Sequence, residues 1–378
     1  MKCNGGNMSI LFSPFEIKGM SLKNRFVRSA TFEGASEPNG EVSPLQLDMY
    51  RNLAAGEVAL IISGTCCVHE NGRLFASQNG LIHDKAIKGM ARLAEAVHEN
   101  GGKVAVQLFH AGREVSSFTP DQEGLGPSDV KNDPYFKHPH RAMTHEEITD
   151  VVDAFGAAAG RAKDAGFDAV QMHGAHAYLF AQFLSPNSNH RKDQWGGTLE
   201  NRLRLHLEVL KSVRKRVGPD FPVLIKVGVQ DGFDGGLILE EGLRAAQLLA
   251  DAGYDGLEIS QGLRGVRFHE TEFRTKLKKP EDHGYFRKWS AAVKKTVHVP
   301  VMAQGGIRDL EMAEEILQQG EADLVALSRP LISEPDLIAR WRKGDKKPAR
   351  CISCNKCIDE LESMRPISCI LDRQKGKE

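Results

Sequence analysis

The sequence has no apolar run long enough to cross a bilayer; stretches such as Val58-Ala59-Leu60-Ile61-Ile62 fall far short of the roughly 20 residues a spanning helix needs. It has no excess charge of either sign, with Lys+Arg and Asp+Glu both at 50. That balance argues against nucleic-acid binding, which usually needs a strongly basic surface. The opening MKCNGGNMSI has no apolar h-region, so no secretory signal is expected, and Met8 is a candidate original start behind a short extension. Low-complexity segments are absent, and no G-x-G-x-x-G follows a strand. Cysteine is sparse and uneven: Cys3, Cys66 and Cys67 stand early, and Cys351, Cys354, Cys357 and Cys369 cluster near the end. An odd number so placed is not a disulfide framework and points to a cytoplasmic protein with one cysteine cluster. What remains is ordinary for a soluble globular chain: 378 residues, 41% hydrophobic and 26% charged. That length allows two domains, or one α/β barrel with trimmings.

The dominant pattern is a short apolar run followed by an amphipathic stretch, repeated. Eight strands are expected at 25–31, 58–65, 103–110, 168–174, 223–229, 256–261, 300–304 and 322–327. Most are rich in Val, Ile and Leu rather than alternating, as suits strands covered on both faces of a parallel sheet. Helices are expected at 84–100, 144–165, 199–217, 240–252 and 309–319, most with a glycine just past the end. The second opens T-x-x-E, a capping-box signature. Eight parallel βα units most simply close into a (β/α)8 TIM barrel, an α/β fold. The long insertion 111–143 and the loop 262–289 both follow strands, so both are expected at the catalytic face as candidate lids.

Chemistry in such a barrel belongs at the C-terminal strand ends. Those ends carry Ser29-Ala30-Thr31, Ser63-Gly64-Thr65, Gln107 with His110 and Arg113, His173-Gly-Ala-His176-Ala-Tyr178, Lys226, Glu258 with Ser260, Gly305-Gly306 and Ser328-Arg329. A glycine pair lets backbone N–H groups approach an anion, and Arg329 on the next strand adds a charge, so a phosphorylated ligand is expected there. The plainer alternative is a Gly-Gly turn needed only for backbone geometry. His173 and His176 can converge on one carbonyl oxygen and withdraw charge from it, with Tyr178 as a general acid. A metal site would need a third ligand that the neighbouring sequence does not supply, and two structural histidines in a turn are the remaining alternative.

The stretch HGAHAYLFAQFLSPNSNHRKDQWGGTLENRLR closely resembles the old yellow enzyme family of FMN-dependent oxidoreductases. FLSPNSN, R-x-D-x-x-GG and ENR occur together and in order, and FSPFEIKGMSLKNRFVRSAT, QLFHAGR and ADLVALSRPLISEPDL look like the same family. The resemblance covers residues 10–343. It implies FMN bound over the barrel mouth, lined by Ser29, Ala30, Thr31 and Gly64. Gln107 would meet the pyrimidine side of the flavin, Lys226 would lie near N1/O2, and Gly305, Gly306, Ser328 and Arg329 would hold the phosphate. It further implies that His173 and His176 bind a substrate carbonyl and that Tyr178 protonates the α-carbon. Hydride would pass from the flavin to the β-carbon of an activated alkene, with NADH or NADPH reloading the flavin. Phe32 stands where many relatives carry the Cys or Thr that tunes the flavin, and Lys226 where many use Arg.

The terminal cysteines read C-x2-C-x2-C-x11-C, which is metal-ligand spacing. The segment resembles the iron–sulfur motif of the 2,4-dienoyl-CoA reductase and trimethylamine dehydrogenase branch, with one residue fewer between its second and third cysteines. A [4Fe–4S] cluster, a zinc ion and reduced thiols are the alternatives at Cys351, Cys354, Cys357 and Cys369, whereas Cys66 and Cys67 read as core. The expected division is an FMN barrel over 1–343 and a cysteine-rich tail over 344–378. Two functions follow. One is an ene-reductase acting on a small unsaturated carbonyl or enoyl substrate; the other is an FMN/iron–sulfur electron-transfer component serving a redox partner protein. Neither involves nucleic acid or membrane, and a homo-oligomer is expected.

Overall fold

The computed structural model describes residues 9–119, 121–131 and 133–375; Cys3 and Met8 lie outside them. Eight parallel strands form a closed barrel: β1 (Phe26–Arg28), β2 (Leu60–Cys67), β3 (Lys103–Phe109), β4 (Ala169–Gly174), β5 (Val223–Gly228), β6 (Gly256–Ser260), β7 (Val301–Ala303) and β8 (Leu324–Leu327). Neighbours in sequence are neighbours in the barrel, and β8 closes on β1 through Val325↔Phe26 and Leu327↔Arg28. The outer ring comprises α1 (Pro44–Ala55), α2 (Ile87–His98), α3 (His145–Asp164), α4 (Arg204–Val217), α5 (Leu239–Ala252), α6 (Arg287–Lys294), α7 (Leu310–Gln318) and α8 (Leu337–Arg342). Thr144 and Glu147 make the reciprocal capping-box bonds that open α3. Among the described residues no helix is long and apolar enough to cross a membrane.

Two apolar layers hold the fold. One fills the space between strands and helices, where residues such as Val106, Phe155, Val209 and Leu249 meet. The other fills the barrel interior with Val27, Leu60, Ile62, Ala105, Ala169, Leu224, Met302 and Leu324. Into that second layer packs an antiparallel hairpin, Phe15–Ile17 with Met20–Leu22, turning at Lys18-Gly19. It plugs the N-terminal end of the barrel with Ile17 and Leu22, both essentially fully buried. Each such side chain contributes about 1.5–3 kcal/mol relative to exposure.

Strand β2 runs past the expected end at Thr65 to Cys67, with a register shift against β3 between Ile62 and Thr65. The shift re-aims the strand end and lets Cys66 and Cys67 pair alongside β3. Both thiols are buried, and burial pushes Cys67 up to about 12, so they stay protonated. The insertion after β3 is more ordered than its composition suggests. It holds a short parallel strand pair, Gly124–Gly126 with His140–Ala142, and is anchored by the buried Arg113–Asp133 ion pair at 2.8 Å. The tail is bonded onto the catalytic face: Ala349 N–H donates to Arg308 O at 2.7 Å, and Ile367 N–H donates to Glu33 O at 2.7 Å.

Candidate active site

The C-terminal strand ends surround a cavity of about 630 Å3. Ser29, Ala30, Thr31, Gln107, His173, His176, Tyr178, Lys226, Gly305, Gly306, Ser328 and Arg329 all line it, so one space gathers residues from β1, β3, β4, β5, β7 and β8. Gly64 is set back from the wall. A Cβ there would fall 2.5 Å from Glu33 Oε2 and 2.8 Å from Thr31 O, so its bareness lets β1 and β2 approach. Thr65 takes the place on the wall. His110 and Arg113 face away: His110 Nε2 lies 2.7 Å from Asn71 Oδ1, and Arg113 holds the insertion.

A buried polar network forms the cavity floor. Ser29 Oγ donates to Glu258 Oε1 at 2.6 Å, Lys226 Nζ lies 3.1 Å from the same oxygen and donates to Ser29 Oγ at 2.9 Å. Gln171 Nε2 donates to Glu258 Oε2 at 2.9 Å, and Gln107 Nε2 donates to Gln171 Oε1 at 2.7 Å. Lys226 is thus held by a carboxylate directly opposite it on the neighbouring strand, which offsets much of its desolvation. One acceptor is left over: Gln107 Oε1 is buried on the cavity wall without a partner. Such an orphan costs about 1–3 kcal/mol unless a ligand N–H meets it. The pyrimidine edge of a flavin offers that donor, so the floor fits FMN.

Gly305 and Gly306, at φ 100° and 75°, stand beside Ser328 and Arg329 on the cavity wall. Positive φ favours glycine here, and a Cβ on either residue would also fall 2.8 Å from the Tyr285 ring. Ser328 Oγ is 2.8 Å from Thr31 Oγ1, which joins the ends of β8 and β1. Arg329 Nη1 donates to Arg274 O at 2.8 Å and to Asn355 Oδ1 at 2.6 Å. Arg329 therefore touches the cysteine tail as well as the cavity.

The turn after β4 is strained. His176 and Ala177 have φ of 58° and 63°, left-handed for two successive residues with side chains. Such geometry costs on the order of 1–3 kcal/mol per residue and persists only where it is over-determined. Here His176 N–H donates to Gln261 O at 3.0 Å and Ala177 N–H to Gly262 O at 2.9 Å, tying the turn to the end of β6. Burial holds both imidazoles well below their ordinary pKa, and the charges of Lys226 and Arg264 add to the effect. His173 Nδ1 accepts from Ala175 N–H at 3.4 Å, which places its proton on Nε2, available to a ligand. His176 Nε2 is engaged 2.7 Å from Ser260 Oγ, and its Nδ1 lies 4.0 Å from Glu272 Oε1. The Tyr178 ring packs edge-on against Phe109 at 4.5 Å and His173 at 5.0 Å. Burial raises its phenol pKa, and the neighbouring Arg264 pulls it back.

Sequence reasoning did not single out Arg264, Glu272, Gln304 or Tyr285, all on the cavity wall. Gln304 Nε2 donates to Ser260 Oγ at 2.7 Å, and Tyr285 Oη donates to Glu272 O at 2.7 Å. Arg264, Glu272 and Tyr285 sit in the irregular loop after β6, where no periodicity marks an inward-facing position. Loop placement after a strand was the available signal.

Cys351, Cys354, Cys357 and Cys369 line one small cavity of about 20 Å3, together with Arg329 and Asn355. Burial pushes the Cys351 thiol up and the Cys357 thiol to about 11, with Arg329 opposing. Four thiols are by chemistry a donor set for a thiolate-bound metal. Among the described residues, however, no group of three or more His, Cys, Asp or Glu is gathered in a geometry that could hold one.

Residues 10–347 match the model of the NADH:flavin oxidoreductase / NADH oxidase family. The chain is 34% identical over 373 residues to a metal reductase of Desulforamulus reducens, covering 98% of this chain and 54% of that protein. It is 37% identical over 328 residues to an NADPH dehydrogenase of Bacillus subtilis, covering 86% of this chain and 92% of that one. Among solved structures, 2-naphthoyl-CoA reductase in complex with 2-naphthoyl-CoA superposes with a TM-score of 0.86 at 27% identity, over 95% of this chain and 56% of that one. The chain thus spans about half the length of two of these three and nearly all of the NADPH dehydrogenase.

Proposed function

The chain belongs to the NADH:flavin oxidoreductase / NADH oxidase family, the old yellow enzyme type of FMN-binding barrel, and we propose that it reduces the C=C bond of an α,β-unsaturated carbonyl or enoyl compound with electrons from NADH or NADPH. FMN would supply the two-electron chemistry between the nicotinamide and the β-carbon. Ser29, Ala30, Thr31, Gln107 and Lys226 would hold its ring, Gly305, Gly306, Ser328 and Arg329 its phosphate, with Gly64 acting through the backbone behind Thr31. The observation that carries the reading is Tyr178: a partly buried phenol lining the same cavity as the orphaned Gln107 acceptor, flanked by two neutral imidazoles. His173 Nε2–H would donate to the substrate carbonyl oxygen, and this bond strengthens as negative charge builds there. His176, held by Ser260, would orient the same oxygen from the second side. Tyr178 would give its proton to the α-carbon, balancing the hydride added at the β-carbon. Purified protein should carry FMN at one per chain, and an enone should reoxidise its reduced form. Protein that stays colourless after incubation with FMN, or reduced protein inert to enones and enoyl thioesters, would reject the reading.

A second reading is favoured by one contact. Arg329 lines both the main cavity and the cysteine cavity, so an electron carrier at each would be close neighbours. In this reading Cys351, Cys354, Cys357 and Cys369 would hold a [4Fe–4S] cluster, which would supply one-electron exchange with a partner protein or an external acceptor, such as the metal that the Desulforamulus relative's name indicates. The tail 344–378 is then a redox module attached to the barrel of 1–343. The reduced, clustered cysteines also suit a cytoplasmic location.

A further inference from the structure

Seven large apolar side chains are exposed among the described residues, and three of them, Phe118, Phe273 and Met364, stand on the wall of the main cavity. Apolar surface left open at a cavity rim marks a ligand's resting place more often than a packing error. Phe118 does not stand alone. Its ring meets Phe75 edge-on at 5.2 Å, and Phe75 stacks on Phe32 at 5.4 Å and 15° between planes. Three rings from three separate segments therefore form one contiguous aromatic wall, from the end of β1 to the rim, with Phe118 turned edge-on to the other two. Leu74 adjoins it and packs in the same apolar cluster as Tyr178, so the wall begins where the proton donor sits.

The charge around this half of the cavity is closed. Arg264 is bound by Glu272 through Nε at 2.8 Å and Nη2 at 2.7 Å, and its Nη1 lies 3.8 Å from Glu114. Two carboxylates thus answer one guanidinium, and Glu362 of the tail also faces the cavity. An anionic substituent placed beside Arg264 would meet a guanidinium already answered by two carboxylates. We propose that the ene-reductase site takes neutral aryl-conjugated enones. The carbonyl would lie at His173 and Tyr178, and the aryl ring would lie against the Phe32–Phe75–Phe118 wall. This deepens the function proposed above and rests on it. Planarity matters because a flat conjugated ring can stack on or edge against these faces, and such pairs add to what area burial alone supplies.

The test uses the FMN-loaded, reduced enzyme and a matched pair of substrates. These are 4-phenylbut-3-en-2-one and 4-cyclohexylbut-3-en-2-one, equal in carbon skeleton but flat and aromatic in one case only. Half-saturation of the reoxidation rate gives an apparent Kd for each. The aryl enone is expected to bind about tenfold more tightly. In Phe118→Leu, at an exposed position where folding is undisturbed, that advantage should shrink at least threefold, and in Phe75→Leu further. A para-carboxylate on the aryl ring should weaken binding about fivefold or more. Equal Kd values for the pair in the parent overturn the aryl slot while leaving the ene-reductase reading intact. An advantage that survives in both variants removes the phenylalanine wall as its cause, and tight binding of the carboxylate overturns the charge argument. If neither enone reoxidises the flavin, the slot and the reading beneath it fall together.

Discussion

Arg264 lies with its guanidinium carbon 5.2 Å from the centre of the Tyr178 ring while it grips Glu272 from the same loop. The loop after β6 therefore sets the electrostatic environment of a side chain that β4 delivers. The positive charge is the counterweight to burial at the phenol, and Glu114 and Glu272 push the other way. Arg264→Met should leave Tyr178 a weaker acid beside two uncompensated carboxylates. Reoxidation of reduced enzyme by an enone should slow by roughly 10–100-fold, short of the roughly 10²–10⁴-fold that losing the general acid itself would cost. Reduction by NAD(P)H should change far less. Stopped-flow measurement of the two half-reactions separates them, and an unchanged enone step would show that the guanidinium does not act on the phenol.

Tyr178→Phe keeps the ring that packs on Phe109 and His173 and removes only the proton. The alkene half-reaction should fall by roughly 10²–10⁴-fold. If the variant is reoxidised as fast as the parent, the proton comes from elsewhere.

His206 offers a pH-dependent prediction away from the site. It is fully buried on α4, its ring meets Phe180 at 4.7 Å, and neither ring nitrogen has a hydrogen-bond partner. Burial lowers its pKa to about 3. An unfolded chain protonates this histidine near pH 6.5, whereas the folded chain refuses the proton. Stability must therefore drain away as pH falls from about 6.5 toward 3. His206→Leu should raise the Tm at pH 7, because an unsatisfied buried polar group costs about 1–3 kcal/mol. The same variant should lose less stability between pH 7 and pH 5 than the parent. Thermal unfolding at both values tests it; a parallel loss in both proteins would contradict the assignment.

The cysteine tail yields a direct assay. If it holds [4Fe–4S], anaerobically purified protein should contain about four iron and four sulfide per chain, and Cys354→Ala should lose both. Zinc without iron would assign a structural metal, and neither metal would leave reduced thiols.

All eight strands could be read from the sequence because buried parallel strands write themselves as Val, Ile and Leu runs bounded by polar residues. The miss at β2 is instructive. Thr65 looked like the strand end, yet the chain continues to Cys67 through a register shift that no local pattern announces. The N-terminal hairpin was overlooked although Lys18-Gly19 marks a tight turn between FEI and MSL. In the site, the residues at strand ends were legible because topology alone sends them to one face. Phe118, Arg264 and Glu272 were not, since where a loop side chain comes to rest depends on contacts between segments far apart in sequence. Gln171 was hidden for another reason. A polar residue in mid-strand looks unremarkable until Gln107 and Glu258 are seen on either side of it.

The hairpin plug has a consequence for how this protein can change. Ile17, Met20 and Leu22 brace the barrel at the end opposite the cavity. The residues that stabilise the shell are therefore physically remote from Phe118, Phe273 and Leu74 at the rim. Substrate preference can drift by substitution at the rim while the brace keeps the scaffold above its unfolding threshold. A library that randomises the rim should retain a high fraction of folded members, and tightening the hairpin first should widen the range of rim sequences that survive.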